Sequence, residues 1–259
     1  HPSKSPLLDL FFMKVAPHAM APMSYTFKDV GVHKRKDLHD SSEKTPFNTV
    51  LNYVAQCLRT TRPACYKDPQ NRSGLNVLNF NPPALAVGGD LSRGARMQEL
   101  AFMAAKQMTL MGAQHIISSF DTSYEHRKER LKTTVYTVMK LVNRTANVKA
   151  HEDLLKDFSH TMQQADLTAL DKLIKKMSAN PTQHLDVSNW LEGLEHTLNR
   201  VGFLFANDLQ SAAAVLKTET ETFSRAETTD RVRELILFSI STEYFGLRKA
   251  LGFSIDTQE

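Results

Sequence analysis

The sequence predicts an α+β fold that is mostly helical, with its strands confined to the front of the chain. Two short apolar runs, "LNVLNF" (75–80) and "ALAVGGD" (84–90), read as strands separated by Asn81-Pro82-Pro83. From about residue 95 the apolar spacing turns helical and stays so almost to the end. No low-complexity stretch separates the two parts, so they read as one domain.

Residues 1–22 hold four prolines without a clean period, and we read 1–40 as an N-terminal arm or linker. Within it "SYTFKDVGV" (24–32) alternates well enough for a strand, and "HKRKDLHDSSEK" (33–44) is a polar loop. The single domain is expected over 41–256. It opens with a helix in which Thr45 caps, Pro46 takes the first position, and Phe47, Val50, Leu51, Val54 and Leu58 form one stripe. "DPQNRSG" (68–74) is turn chemistry. Helical patterns then cover roughly 95–111, 121–143, 150–163, 166–178, 186–206, 208–217 and 228–250, with Asp186 or Ser188 as a cap and Gly252 as the last stop. No repeat of fixed period appears.

Composition narrows the function classes. Of 259 residues 41% are apolar and 23% charged, which is globular usage. The net charge of +4 is spread out, and the densest basic run, Arg127–Lys132, contains Glu129 and follows a helical pattern. It reads as a solvated helix face and not as a nucleic-acid stripe. Cys57 and Cys65, eight residues apart, match neither zinc-ligand spacing nor a disulfide framework, and we expect a reducing, cytoplasmic setting. Leu7 to Met13 is far shorter than the roughly 20 apolar residues a membrane span needs. The chain opens at His1 without an initiator methionine, which suggests a piece of something longer.

The chemistry centres on "RMQELAFMAAKQ" (96–107). A zinc-hydrolase helix places two histidines at i and i+4 on one face, with a glutamate after the first as general base on the metal-bound water. Here Gln98 and Phe102 hold the histidine places, and Glu99 remains. In "NWLEGLEHTLNRVGFLFANDL" (189–209), Glu195, Asn199 and Gly202 share a helical face at i, i+4 and i+7. This resembles the E-x-x-A-D-x-x-G/A helix of gluzincin metallopeptidases, with Leu198 for the alanine and Asn199 for the aspartate. The losses agree with one another. Without a histidine to orient, an ionised aspartate would only add desolvation cost, and a phenyl ring would fill the metal's space.

From about Phe47 to Phe253 the chain resembles the C-terminal domain of large bacterial tetratricopeptide-repeat proteins, itself similar to a degenerate gluzincin. "PALAVGGDLSRGARMQELAFMAAKQMTLM", "WLEGLEHTLNRVGFLFANDLQSAAAVL" and "RVRELILFSISTEYFGLRKALGFSI" carry the resemblance. It implies a zincin-like pseudo-peptidase with Glu99 as vestigial base and Glu195 as vestigial ligand. No metal and no cofactor are expected, because zinc wants about four ligands. Restoring Gln98→His, Phe102→His and Asn199→Asp is expected to restore zinc affinity. His196 lies about 100° round the helix from Glu195 and so points elsewhere, while His115, beyond Gly112, stays open as a rebuilt ligand. His126, His151, His160 and His184 sit in polar surroundings and are expected to be exposed.

The expected function is an inactive peptidase-like module for interaction or scaffolding with a protein or peptide partner. Its groove would run along Leu85, Ala86, Val87 and Gly88, where a strand edge would precede the glutamate helix. Two alternatives are kept: a hydrolase with a rebuilt metal site, and a helical oligomerisation or capping module. The second would use the apolar C-terminal stretch with Leu235, Ile236, Phe238, Ile240, Tyr244, Phe245 and Leu247. G-x-S-x-G, G-x-x-x-x-G-K and G-x-G-x-x-G are all absent.

Overall fold

Apolar residues at 8, 11, 12, 15, 16 and 19 follow helical spacing, and they build α1 (Pro6–Met23), capped by Ser5, whose hydroxyl accepts from Leu8 N–H. The computed structural model describes residues 1–68, 74–91, 96–181, 185–219 and 221–253. Residues 6–23 are therefore no arm. Leu8, Phe11, Phe12 and Val15 are fully buried, and Phe12 packs on Trp190 at 4.8 Å between ring centroids. Burial of that kind is worth roughly 1.5–3 kcal/mol per side chain, and summed over these four and the other buried positions of the helix it outweighs the roughly 3 kcal/mol of each interior proline, Pro17 and Pro22. The four prolines hid the stripe. Nor is 24–32 a strand. Asp29 Oδ2 accepts from Thr26 N–H and Thr26 O–H, and Gly31 takes a positive φ of 68°, so the segment coils while Phe27 stacks against Phe80.

The helix capped by Thr45 follows as α2 (Pro46–Cys57), and three short strands succeed it: β1 (Cys65–Asp68), β2 (Leu75–Leu78) and β3 (Ala84–Gly88). Their order in the sheet is β1-β3-β2; β1 runs parallel and β2 antiparallel to β3. Ala86 stands opposite Tyr66 on one side and Asn76 on the other. The 68–74 turn lies mostly outside the described residues, as does His184.

The helical part comprises α3 (Met97–Leu110), a 3-10 helix (Ile116–Phe120), α4 (Tyr124–Val142), α5 (Glu152–Thr161), α6 (Gln164–Ala179), α7 (Val187–Ala206), α8 (Leu209–Thr218), α9 (Thr228–Ser239) and α10 (Thr242–Ala250). The expected 228–250 helix is thus two. Ser241 caps the second by accepting from Tyr244 N–H at 3.1 Å, a local alternative to helical continuation. Helices α3 and α7 cross antiparallel with Phe102 against Gly202; a Cβ at Gly202 would stand 2.9 Å from the Phe102 carbonyl, so only glycine permits this approach.

A buried polar group ties the N-terminal segment to this frame. His115 Nδ1 bonds the Thr109 carbonyl at 3.0 Å and Nε2 meets Lys4 Nζ at 2.8 Å; Lys4 also pairs with Asp9, which accepts from Trp190 Nε1. Burial, and then the Lys4 charge, push His115 down to about 4. The unfolded chain takes up a proton near pH 6.5 and the folded chain does not. Stability is accordingly expected to be full above about pH 6.5 and to fall towards pH 4, by up to about 3 kcal/mol. Urea titrations at stepped pH should show this loss in the parent chain and a flatter profile in His115→Gln.

Candidate functional site

Helix α3 presents three successive turns to different surroundings. Gln98 is exposed and Glu99 half-buried, whereas Phe102 and Lys106 are buried against α7. On α7, Glu195, Asn199 and Gly202 do share a face, and all three are buried. The i, i+4 pair of α3 that meets this face is Phe102 and Lys106, one turn further along than Gln98 and Phe102. Glu99 precedes Lys106 by seven residues, about 10 Å along the axis. The structure thus brings Phe102, Asn199 and Glu195 to one seam and leaves Gln98 and Glu99 outside it. Antiparallel pairing from the Phe102–Gly202 contact fixes that register, which helical spacing alone leaves free.

The place facing Glu195 and Asn199 is filled by the Lys106 ammonium. Nζ donates to Asn199 Oδ1 at 2.8 Å and to both Glu219 oxygens at 2.7 and 2.8 Å, and lies 3.7 Å from Glu195 Oε1. Arg231 Nη1 reaches Glu219 at 3.0 Å and Glu195 at 3.5 Å. Glu195 Oε2 accepts from the main-chain N–H groups of Phe223 and Ser224 at 2.5 and 3.1 Å. Two carboxylates therefore face one ammonium and one guanidinium, and the buried cluster is neutral. Its donor set does not fit a metal: Phe102 offers no lone pair, Lys106 and Arg231 are cations, and both acids are already committed. Among the described residues no group of three His, Cys, Asp or Glu side chains is placed to hold an ion.

Other histidines do not reach this seam. His196 faces a separate surface hollow, 3.9 Å from Glu192 and 3.8 Å from Glu234, and His115 is held by Lys4 and Thr109 as described. His126, His151 and His160 are exposed. Arg127 departs from its expected place on a solvated face. It is almost wholly buried, with its guanidinium 4.1 Å from the Phe223 ring centroid. Basic neighbours in sequence disguised it; Leu131, Val135 and Val138, buried on the same helix, were the available signal.

Beside the charge cluster lies a cavity of about 230 Å³ between β2 and α3, with Lys106, Gln107 and Met103 on one wall and Leu75, Asn76 and Val77 on the other. The expected groove along Leu85, Ala86, Val87 and Gly88 is corrected by this arrangement. Those residues form the central strand, hydrogen-bonded on both sides and buried throughout, so no ladder group is left for a guest. The edge strand on the cavity side is β2, in which Leu75 is buried and Asn76, Val77 and Leu78 are half-buried. Gly88 N–H bonds Gly74 O at 2.9 Å, which sets Gly74, Asn76 and Leu78 as the residues bonded to β3. By antiparallel alternation the main-chain groups of Leu75 and Val77 point outward. Among the described residues neither has a partner on that side. Helix α1 packs on α5, α6 and the 3-10 helix rather than along this edge.

Comparison of the chain with family models, with curated proteins and with solved structures gives no match to any of them.

Removing Lys106 leaves Glu195, fully buried, and Glu219 short of a cation. Lys106→Met is expected to cost about 3–5 kcal/mol in urea unfolding, the scale of a broken buried pair. Adding Glu195→Gln should recover part of that loss; an additive double variant would contradict the coupling.

Proposed function

We propose that this chain is a non-catalytic, zincin-like module that holds an extended protein segment by strand addition at β2. The observation that carries the reading is the antiparallel edge strand whose Leu75 and Val77 main-chain groups face outward beside the α3 cavity. A peptide laid there gains main-chain hydrogen bonds from the strand and side-chain contacts from the cavity. Chemistry is not supported. Met103, which follows Phe102 in the seam's frame, carries no proton, and Glu99 lies a turn outside it. The resemblance to degenerate gluzincins found in tetratricopeptide-repeat proteins fits a helix pair in which an ammonium stands where a metal would be.

A second reading, a helical association module, is favoured by one specific feature. Ile236, Leu237, Ile240 and Phe245 on α9 and α10 and in their junction are 46%, 62%, 72% and 59% exposed. Light scattering across a concentration series separates it from the first.

Two outcomes are expected. Val77→Pro removes an outward N–H without touching a bond to β3, so it should leave the chain cooperatively folded, with a melting temperature lowered only by the lost packing of Val77, and abolish binding of peptides selected from a random display library. Equal binding by that variant would refute strand addition. For the descent, the variant Phe102→His, Lys106→His, Asn199→Asp should gain zinc in elemental analysis, while Gln98→His, Phe102→His, Asn199→Asp should not. The reverse result would restore the frame at residues 98–102.

A further inference from the structure

Arg127 lines the same cavity as the open strand and is 1% exposed. Nε donates to Ser118 O at 2.5 Å, Nη1 to Thr222 O at 2.5 Å, and Nη2 to Asp121 O. All three acceptors are neutral carbonyls, and two of the five guanidinium N–H groups stay uncommitted among the described residues. This differs from Lys106 and Arg231, each of which bonds the Glu219 carboxylate. A guanidinium out of water without a bonded anion is costly to keep. Nearby acids are engaged elsewhere: Asp121 with Arg130, and Glu195 with the 223–224 amides and the two cations. Glu221 is the exception. It lines the cavity beside Arg127, is exposed, and acts on Arg127 by its charge without a hydrogen bond or ion pair among the described residues.

We infer that the cavity is a carboxylate receptor: it takes a peptide's free carboxylate against Arg127, and Glu221 is a resident stand-in that the guest displaces. The inference rests on the strand-addition reading and adds the chemistry of the guest. Gln107 and Asn76 add neutral side-chain amides to the lining, and Met103, Val215 and Phe223 add apolar surface. Beside a guanidinium that is itself 1% exposed, a carboxylate–guanidinium bond is strengthened relative to solvent. Two sources carry this group, a chain's C-terminus and an Asp or Glu side chain.

Three probes separate them: acetyl-Ala-Ala-Val with a free carboxylate, the same tripeptide amidated, and amidated acetyl-Ala-Asp-Val. Each is titrated into the full ¹⁵N-labelled chain while the Arg127 Nε–H resonance is followed. At least one acid-bearing probe is expected to move that resonance saturably and to bind about tenfold more tightly than the neutral amide, as one charge-assisted hydrogen bond provides. The tighter of the two names the source. Glu221→Gln is expected to tighten that acid about tenfold and to leave the neutral amide unchanged. Equal binding by acid and amide, with both lost in Val77→Pro, overturns the receptor and leaves strand addition standing. Absence of binding by all three overturns both, and weaker acid binding in Glu221→Gln overturns the stand-in.

Discussion

Two helices can cross closely only if nothing bulky stands between them, and the Phe102–Gly202 contact sets how near α3 and α7 come. That proximity determines the rest of the interior. It holds Lys106 within reach of Asn199 and Glu195, and it places α3 so that one face closes the buried seam while a neighbouring face walls the cavity beside β2. Electrostatics then sets how the following chain runs. Glu219 at the end of α8 and Arg231 on α9 complete the neutral cluster, and the Glu195 carboxylate holds the 223–224 amides between them. A loop that could otherwise move over the cavity is thereby fastened from beneath by a side chain of another helix.

Most of the helical skeleton was legible because its signals are local. Thr45 and Asp186 cap where their hydroxyl and carboxylate chemistry requires, and Gly252 ends the last helix at a positive φ of 71°. The α7 face of Glu195, Asn199 and Gly202 followed from period alone. What period does not encode is which turn of one helix meets which turn of another. The pair of α3 that meets the α7 face is therefore Phe102 and Lys106 and not Gln98 and Phe102: position along α3 depends on a glycine a hundred residues away. Strand order was illegible for the same reason. β3 is the most apolar of the three strands, and its apolarity reflects burial between two neighbours, not a groove. The prolines of α1 and the basic neighbours of Arg127 masked buried positions with residues that usually mark the surface.

The seam and the cavity use charge in opposite ways. In the seam each cation is matched by an acid, so the cluster offers no net field to a guest. In the cavity wall Arg127 bonds only carbonyl oxygens, and Glu221 is the lining acid that no bonded cation holds. The two meet along α3, since Lys106 and Glu219 of the seam also line the cavity.

The four-charge arrangement also has an evolutionary consequence. Exchange of any single member leaves a partner short of its counter-charge, so substitutions at positions 106, 195, 219 and 231 are expected to be coupled. A lineage that has acquired this quartet leaves it only through compensated multiple steps, which makes the arrangement a historical ratchet as well as a brace.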